Sequence, residues 1–173
     1  MTGHGAAVVW LTGLPAAGKS TVARRVVEEL RRRNIPVEQI DGDALRAVFP
    51  ETGFSREERG RHVGWAGYLA SRLEAHGITS VVSLVSPYRD ARDAARGRCR
   101  RFIEVYVATP LAECERRDPK GHYAAARRGE IEAFTGVSDP YEAPVAPEVI
   151  VDTIHETADD AARAVLAYLD ASS

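Results

Sequence analysis

The sequence predicts an α/β fold built on a parallel sheet of about five strands, with helices on both faces of the sheet. Two observations support this prediction. Short apolar runs, which predict buried strands, alternate along the 173 residues with longer segments whose apolar residues recur at helical spacing. Such alternation is typical of a parallel sheet that helices cover on both sides. These sheets bind ligands beyond the carboxyl ends of their strands, so we expect the functional site at that edge.

The first half of the chain supplies two predicted strands and two predicted helices. The apolar run over 8–12 predicts the first strand, and the segment over 18–33 predicts the helix that follows it. Residues 37–40 form the second predicted strand. The helical spacing over 56–76 predicts a long helix, which ends at Gly77 because glycine is the usual residue just past a helix.

The second half continues the alternation. The predicted strands cover residues 80–85, 102–108 and 149–151. The predicted helices cover residues 89–100, 110–117 and 158–169, the last with its apolar residues on one face. Pro110 favours the start of a helix, because the first turn does not need the N–H that proline lacks.

The chain has the length of one domain, and we predict a single domain over residues 1–173. We expect residues 1–6 to be flexible. The segment over 118–147 is polar, rich in glycine and proline, and has no clear strand pattern. A segment of this length without regular structure is usually functional in a compact domain, so we predict a lid or substrate loop there.

Composition argues against several classes of function. The formal net charge is -2 and the isoelectric point is near 6.2, which excludes a typical nucleic-acid binder. The basic run over 31–33 is interpreted as the solvated face of a helix. Cys99 and Cys114 show no spacing typical of a zinc site or a disulfide framework, which fits a reducing cytoplasm. The sequence has no signal peptide and no membrane-spanning run, so we expect a soluble cytoplasmic protein without a membrane partner.

A phosphate-binding motif directly follows the first predicted strand. It consists of Gly13, Leu14, Pro15, Ala16, Ala17, Gly18, Lys19 and Ser20, and the helix that it opens continues with Thr21. Backbone N–H groups and a helix N-terminus in such a P-loop hold nucleotide phosphates. Lys19 is predicted to reach the β- and γ-phosphates, and the Ser20 hydroxyl is predicted to ligate Mg²⁺. The motif therefore predicts a sheet of the P-loop NTPase type, with ATP and Mg²⁺ as cofactors.

Two aspartates, Asp41 and Asp43, follow the second predicted strand at the expected ligand-binding edge. Phosphoryl transfer needs a carboxylate near the acceptor hydroxyl and cations around the moving phosphate. Asp43 is therefore predicted to orient or deprotonate the acceptor hydroxyl, with Asp41 assisting through the Mg²⁺ shell. The alternative is an Asp-Gly turn in which Asp43 caps a short helix. These motifs together favour an ATP-dependent small-molecule kinase.

Several segments resemble the adenylylsulfate kinase family, and they follow that family's order along nearly the whole chain. The matching segments are residues 13–21, 41–46, 53–59, 85–89, 117–121, 134–136 and 139–144. The resemblance implies that MgATP phosphorylates the 3′-hydroxyl of adenosine 5′-phosphosulfate, which gives 3′-phosphoadenosine 5′-phosphosulfate and ADP in sulfate assimilation. It also implies a homodimer, because dimers are frequent in that family.

The resemblance assigns substrate-binding roles at the matching positions. Phe54 and Phe134 would sandwich the adenine of the acceptor nucleotide, since aromatic faces stack on bases; core positions are the alternative for both. Arg46 and Arg59 would hold the phosphosulfate, because a guanidinium fits oxyanions better than an ammonium does; surface charges are the alternative. Lys120 would approach the acceptor when the lid closes and excludes water.

Two further matching segments carry roles. Ser86, Pro87 and Tyr88 are implied to contact the substrate. We place Ser86 among the catalytic residues in a positioning role, not as a nucleophile, because direct in-line transfer needs no covalent intermediate. Arg117, or its neighbour Arg116, would neutralise ATP phosphates from the start of the lid.

The chain departs from the family pattern at Ala44, His62, Gly64 and Leu84. The family commonly has Asn or Glu, Asn, Arg and an aromatic residue at these positions. The changes concern the acceptor pocket, so His62 is included among the predicted substrate-binding residues. Two alternatives therefore stay open: a kinase retuned to another nucleotide or a natural-product alcohol, and a non-catalytic nucleotide-binding regulator. The intact phosphate loop argues against the regulator.

Overall fold

The computed structural model describes residues 5–51 and 53–172 of the chain. The strands are β1 Val8–Thr12, β2 Val37–Asp41, β3 Thr79–Ser83, β4 Phe102–Val107 and β5 Val149–Val151. The helices are α1 Lys19–Arg32, α2 Gly42–Val48, α3 Arg56–Ala75, α4 Arg89–Arg96, α5 Leu111–Arg117, α6 His122–Arg127 and α7 Ala158–Ala171. Of the segment predicted to be flexible, residues 1–4 lie outside the described part of the chain.

All strand pairs of the sheet are parallel, in the order β2-β3-β1-β4-β5. Strand β1 lies at the centre and pairs with both β3 and β4, with Leu11 opposite Ser83 and Val105. Each of its five residues is fully buried. The predicted α/β class with a parallel sheet is therefore confirmed.

The two faces of β1 contribute to two separate hydrophobic clusters. Val9 and Leu11 pack in a cluster with α1, whose apolar positions recur at helical spacing, and with α7. Val8 and Trp10 pack in a second cluster with α3 and α4. Burying each large apolar side chain contributes roughly 1.5–3 kcal/mol, so both helical layers are held by the same strand. Helices on both faces of the sheet are thus confirmed.

The predicted boundaries were wrong at several places. Strand β3 ends at Ser83 and not at residue 85, because the chain leaves the sheet towards Ser86, whose φ is +40°. Helix α4 ends at Arg96 and not at residue 100. The predicted loop over 118–147 contains helix α6, which the carboxylate of Asp118 supports by accepting from backbone N–H groups of that helix.

Two other helices begin as their sequences favour. Ser55 caps α3 in a capping box with Glu58, and Thr157 caps α7 in the same way with Asp160. Within residues 5–51 and 53–172, none of the helices has the length and apolarity that crossing a bilayer requires. The loops that follow β1 and β2, which carry the phosphate-binding motif and the aspartates, therefore lie at the carboxyl edge of the sheet.

We predict opposite stability effects for two glycine substitutions in α3. A Cβ at Gly67 would lie 2.9 Å from the Cβ of Ala95, so Gly67→Ala should overpack the contact between α3 and α4. The expected loss is about 1–3 kcal/mol in the free energy of unfolding, measured by urea titration. Gly60→Ala is the matched control, because its Cβ would meet nothing within 4 Å, and it should gain up to about 1 kcal/mol. Equal shifts for both variants would contradict the packing described here.

Candidate active site

The candidate site lies where the carboxyl ends of β1, β2 and β3 meet. Parallel pairing places Asp41 at the end of β2 opposite Ser83 at the end of β3. The loop that leaves β1 after Thr12 lies beside them and leads into α1. The structure therefore brings the phosphate-binding motif and the aspartate pair to one edge, as the sequence pattern predicted.

The backbone of the phosphate loop forms a tight turn. A Cβ at Gly13 would lie 2.6 Å from the carbonyl oxygen of Val107, so this position excludes side chains. Gly18 has a φ of +101°, which places it in the left-handed region just before α1 begins. The N–H of Ala17 donates to the carbonyl of Leu14 at 3.2 Å and closes the turn. The helix N-terminus is thereby directed towards the loop, as an anion site requires.

Lys19 lies inside this loop and is 9% exposed. Its ammonium donates to the carbonyl oxygens of Gly13 at 3.0 Å and of Leu14 at 2.7 Å. Burial lowers the pKa of Lys19 to about 8, although the nearby charges of Cys114, Asp41 and Asp43 act in the opposite direction. The cation is therefore held in position by backbone oxygens, at low solvent exposure.

Asp41 is the hydrogen-bonding centre of the edge. Its Oδ2 accepts from the hydroxyl of Ser20 at 2.9 Å and from that of Ser83 at 3.0 Å. Its Oδ1 accepts from the N–H of Asp43 at 3.0 Å and of Ala44 at 3.3 Å, so Asp41 is the N-cap of α2. Burial acts to raise the pKa of Asp41, but the hydrogen bonds from the two serines and the backbone hold it below its usual value.

The carboxylate of Asp43 is left available, because Asp41 and not Asp43 caps the helix. Asp43 forms an ion pair with Lys120, which lies in the turn between α5 and α6. Both side chains are exposed, at 73% for Asp43 and 57% for Lys120. The structure thus places the predicted lid residue directly on the predicted acceptor-side carboxylate.

Arg46, Phe54 and Arg59 form a cluster next to Asp43. The guanidinium of Arg46 lies 4.4 Å from the centre of the Phe54 ring, and that of Arg59 lies 5.4 Å from it. The Phe54 side chain is 53% exposed, so it is not a core residue. Arg59 is buried and donates to the carbonyl of Phe54 at 2.8 Å and to that of Ala133. Arg59 therefore ties the Phe54 loop to the loop that precedes Phe134.

Phe134 itself packs differently. It is partly buried against the core cluster of α1 and α7, and its ring meets that of Tyr123 edge-on at 5.0 Å. Phe134 thus packs partly against the core and also lies next to Ala133, whose carbonyl accepts from Arg59. The alternative of a core position therefore holds in part. The stacking role of both phenylalanines on a base stays a prediction.

His62 lies one helical turn after Arg59 and is 5% exposed. Burial, with the charge of Arg46, lowers the pKa of His62 to about 4, while the charge of Asp43 opposes the shift. Its Nδ1 atom is buried and has no hydrogen-bond partner within the described residues. The structure therefore encloses a neutral imidazole with one nitrogen left unsatisfied by the described residues. At the neighbouring departure, Gly64, a Cβ would meet nothing within 4 Å, so packing within the chain does not require glycine there.

The segment from Ser86 to Tyr88 is enclosed. Ser86 is 3% exposed, and its hydroxyl accepts from the indole N–H of Trp10 at 3.1 Å and donates to the carbonyl of Leu84 at 3.3 Å. The Tyr88 hydroxyl donates to Asp139 at 2.6 Å. The carbonyl oxygen of Pro87 accepts from the backbone N–H of Glu142 at 2.8 Å. An enclosed hydroxyl such as that of Ser86 fits the positioning role that the sequence assigned to it.

Arg117 lies beside the phosphate loop but is anchored to other groups. Its guanidinium donates to the carbonyl and the hydroxyl of Thr153, both at 2.9 Å, and pairs with Glu113 at 2.8 Å. One nitrogen lies 3.4 Å from the carbonyl of Ala17. Arg116 is exposed and pairs with the same glutamate. A role of Arg117 towards ATP phosphates stays a prediction.

Sequence reasoning missed several residues that hold this site together. Tyr123 donates to the carbonyl of Pro15 at 2.8 Å and supports the phosphate loop from α6. Thr109 and Thr153 both donate to the carbonyl of Ala17. Thr109 and Thr153 follow predicted strands β4 and β5, so their position at the ligand-binding edge was a usable signal. Tyr123 gave no such signal, because it lies in the segment interpreted as a loop.

A P-loop at the carboxyl edge of a parallel sheet, next to an aspartate paired with a lysine, is typical of a nucleotide-dependent phosphotransferase of the P-loop class. The sequence model described as Adenylylsulphate kinase matches residues 5–152. The chain is 44% identical over 163 residues to an adenylyl-sulfate kinase of Gloeothece citriformis, covering 94% of this chain and 93% of that relative. It is 45% identical to the adenylyl-sulfate kinase of Halothermothrix orenii, covering 94% and 88%.

The structure is also similar to that of the APS kinase of Mycobacterium tuberculosis in complex with AMPPNP and APS. The TM-score is 0.92 at 37% identity, and the match covers 95% of this chain and 98% of that one. This chain therefore belongs to the adenylylsulfate kinase family.

We predict that His62 makes the protein sensitive to acid. Its pKa of about 4 lies below the usual value near 6.5, so the unfolded state binds more protons between these pH values. Stability should therefore fall as pH is lowered from about 6.5 towards 4. His62→Asn should flatten this dependence, whereas His76→Asn, at an exposed histidine near the end of α3, should not. Urea midpoints across this range test the prediction, and equal slopes in both variants would exclude it.

Proposed function

We propose that the protein transfers the γ-phosphoryl group of ATP to the 3′-hydroxyl of adenosine 5′-phosphosulfate. The observation that carries this proposal is the position of Asp43 between the two halves of the site. Its N–H donates to Asp41, which accepts from Ser20 next to the phosphate loop, and Asp43 lies in the first turn of α2, the helix that also carries Arg46. A carboxylate that reaches both halves can meet an acceptor hydroxyl as it approaches the terminal phosphate.

In the proposed reaction, the 3′-oxygen forms a bond to the γ-phosphorus while the bond from that phosphorus to the bridging oxygen of ADP breaks. The proton of the hydroxyl moves to the Asp43 carboxylate and from there to water. Lys19, fixed in the phosphate loop, neutralises charge on the transferring group without having to reorganise. Lys120 lies on Asp43 and would accompany the acceptor as the lid closes over it.

Ser20 and Asp41 are proposed to hold Mg²⁺. Their oxygens lie 2.9 Å apart, and hydroxyl and carboxylate oxygens are the hard donors that Mg²⁺ prefers. Groups of three or more His, Cys, Asp or Glu suited to a metal are not found within residues 5–51 and 53–172, so phosphate and water oxygens would complete the shell. The ion would neutralise charge on the β- and γ-phosphates.

On the acceptor side, we propose that Phe54 and Phe134 flank the adenine. Arg46 and Arg59 would pair with the phosphosulfate, since both guanidiniums lie within 5.4 Å of the centre of the Phe54 ring. Pro87 and Tyr88 would close the far wall. The relative from Mycobacterium tuberculosis, solved with APS and AMPPNP, supports this assignment of two nucleotide sites.

A second acceptor class is favoured by one observation, the open space at Gly64, where a Cβ would meet nothing within 4 Å. The cation that the family usually carries at this position is missing, so the site offers one positive charge fewer to an anionic acceptor. A related nucleotide is therefore the second candidate.

We also propose that the enzyme is a cytoplasmic homodimer. Helices α2 and α3 carry three exposed large apolar side chains, Val48 at 68%, Tyr68 at 55% and Leu69 at 40%. We propose that these side chains form one apolar surface, at which a second copy of the chain binds. Free thiols at Cys99 and Cys114 fit a reducing compartment.

The activity is tested by release of ADP with purified protein, MgATP and adenosine 5′-phosphosulfate. We expect turnover well above ATP hydrolysis without acceptor. Asp43→Asn should lower kcat by about 100-fold with a small change in KM for ATP, because it removes the proton acceptor alone. Lys19→Met should lower kcat/KM for ATP by at least about 100-fold.

Other nucleotides run in the same assay separate the two acceptor classes. A higher kcat/KM for another nucleotide would favour the second candidate. ATP binding without turnover of any acceptor would reject both, and would leave a nucleotide-binding regulator.

The homodimer is tested by sedimentation of the wild type and of Leu69→Glu. A charge in the apolar surface should shift a dimer to a monomer, because burying an unpaired carboxylate is costly. Ile154→Glu is the matched control, since Ile154 is 46% exposed but lies outside that surface. A wild type that stays monomeric at all concentrations, or a control that dissociates equally, would contradict the proposal.

A further inference from the structure

Arg92, on helix α4, is the most deeply buried arginine of the described chain, with 2% exposure. Its Nε donates to Glu104 at 2.8 Å, its Nη1 to the carbonyl of Ser86 at 2.6 Å and its Nη2 to the carbonyl of Glu142 at 2.6 Å. Hydrogen bonds from a charged donor are the strong ones in proteins. A buried guanidinium also requires such partners, because an unpaired charge in the interior is costly.

These three bonds join three separate parts of the fold. Glu104 lies on β4, Ser86 follows β3, and Glu142 lies in the segment over 139–143, here called the strap, which precedes β5. The strap also contacts Pro87 through the N–H of Glu142 at 2.8 Å. Its Tyr141 hydroxyl lies 3.0 Å from that of Thr12. Arg92 is therefore the point at which sheet, β3 exit and strap are fixed together.

From the strap, a further series of contacts reaches the acceptor side. The Tyr88 hydroxyl donates to Asp139 at 2.6 Å, and Asp139 lies 3.9 Å from the guanidinium of Arg59. Arg59 in turn holds the carbonyl groups of Phe54 and Ala133. By contrast, the three bonds of Arg92 reach β4, the β3 exit and the strap, and none of them ends on the phosphate loop over 13–18.

We propose that Arg92 is a positioning residue for the acceptor half of the site. It fixes the strap and the Ser86 carbonyl, and thereby sets Asp139 and Tyr88, against which Arg59 is placed. It touches no substrate in this proposal, and none of its own side-chain bonds ends on the ATP half. The inference rests on the proposed function only for the identity of the acceptor.

The shape of the guanidinium explains why this position needs arginine. Its planar fork directs N–H groups to three different partners at once, whereas a lysine offers one compact charge. Arg92→Lys should keep the ion pair with Glu104 and lose at least one of the two carbonyl contacts. The variant therefore keeps the buried charge paired but weakens the attachment of the strap, so the two effects can be told apart.

Arg96 supplies a matched control on the same helix. It pairs with Glu148 at 2.7 Å and lies 3.5 Å from Glu104, so it belongs to the same charged cluster. Its side-chain contacts go to Glu104, Glu148 and the carbonyl of Phe102, and none reaches the strap or the β3 exit. Arg96→Lys should therefore disturb the cluster without releasing the strap.

The experiment compares wild type, Arg92→Lys and Arg96→Lys in two measurements. Arg92→Lys should raise KM for adenosine 5′-phosphosulfate about ten-fold and change KM for ATP less than about two-fold, because only acceptor positioning is lost. Hydrogen exchange should become faster in peptides that contain the strap. Arg96→Lys should leave both KM values and strap exchange as in the wild type, whatever its effect on thermal stability.

Three outcomes would overturn the inference: equal KM changes in the two variants, equal changes of both substrates' KM in Arg92→Lys, or unchanged strap exchange. Asp139→Asn, which keeps the shape of the side chain between Tyr88 and Arg59 and removes its charge, repeats the test downstream if Arg92→Lys does not fold, and it should raise the same KM selectively. A wild type inactive on adenosine 5′-phosphosulfate would reject the proposed function, while strap exchange would still test the attachment by Arg92.

Discussion

Parallel pairing of one buried strand with two neighbours is the constraint on which the remaining structure depends. Strand β1 is fully buried and pairs with β3 on one side and with β4 on the other. Because all the strands run in the same direction, every loop that leaves a carboxyl end opens at the same edge. The phosphate loop, the aspartates and the enclosed serine come from different parts of the sequence, yet they meet for this one reason.

At this edge, two neighbouring carboxylates have divided tasks. Asp41 accepts four hydrogen bonds from Ser20, Ser83 and the first turn of α2, so its oxygens are committed to structure and to the phosphate side. Asp43, two residues later, keeps an exposed carboxylate. A single aspartate could not cap the helix and also face an incoming hydroxyl. The two aspartates of the Asp-Gly-Asp sequence therefore differ in environment because Asp41 is the N-cap of α2 and Asp43 lies in its first turn.

The sequence predicted the parts of the site that depend on local pattern. The parallel sheet followed from alternating periodicity, and the phosphate loop followed from a motif whose residues are adjacent in the chain. The attachment of the strap by Arg92 and the support of Pro15 by Tyr123 were not predictable in this way, because these two contacts join residues 50 and 108 positions apart. Polar contacts between residues so far apart in the chain produce no periodic pattern in the sequence.

The boundary errors have a similar origin. Residues 84 and 85 have strand-like composition, but the chain turns at Ser86, which has a positive φ and buried contacts with Trp10 and Arg92 that the local sequence does not encode. Helix α6 was missed because flanking glycine and proline dominated the composition of its surroundings. Tertiary contacts overrode local propensity at both places.

The ion pair between Lys120 and Asp43 has a consequence for the order in which an acceptor would bind. Both groups are exposed, and an ion pair of this kind contributes only about 0–1 kcal/mol, so little energy is needed to part them. Under the proposed function, an alcohol with an anionic tail would compete for the lysine and so free the carboxylate. Binding of the acceptor and release of its proton acceptor would then be one coupled event.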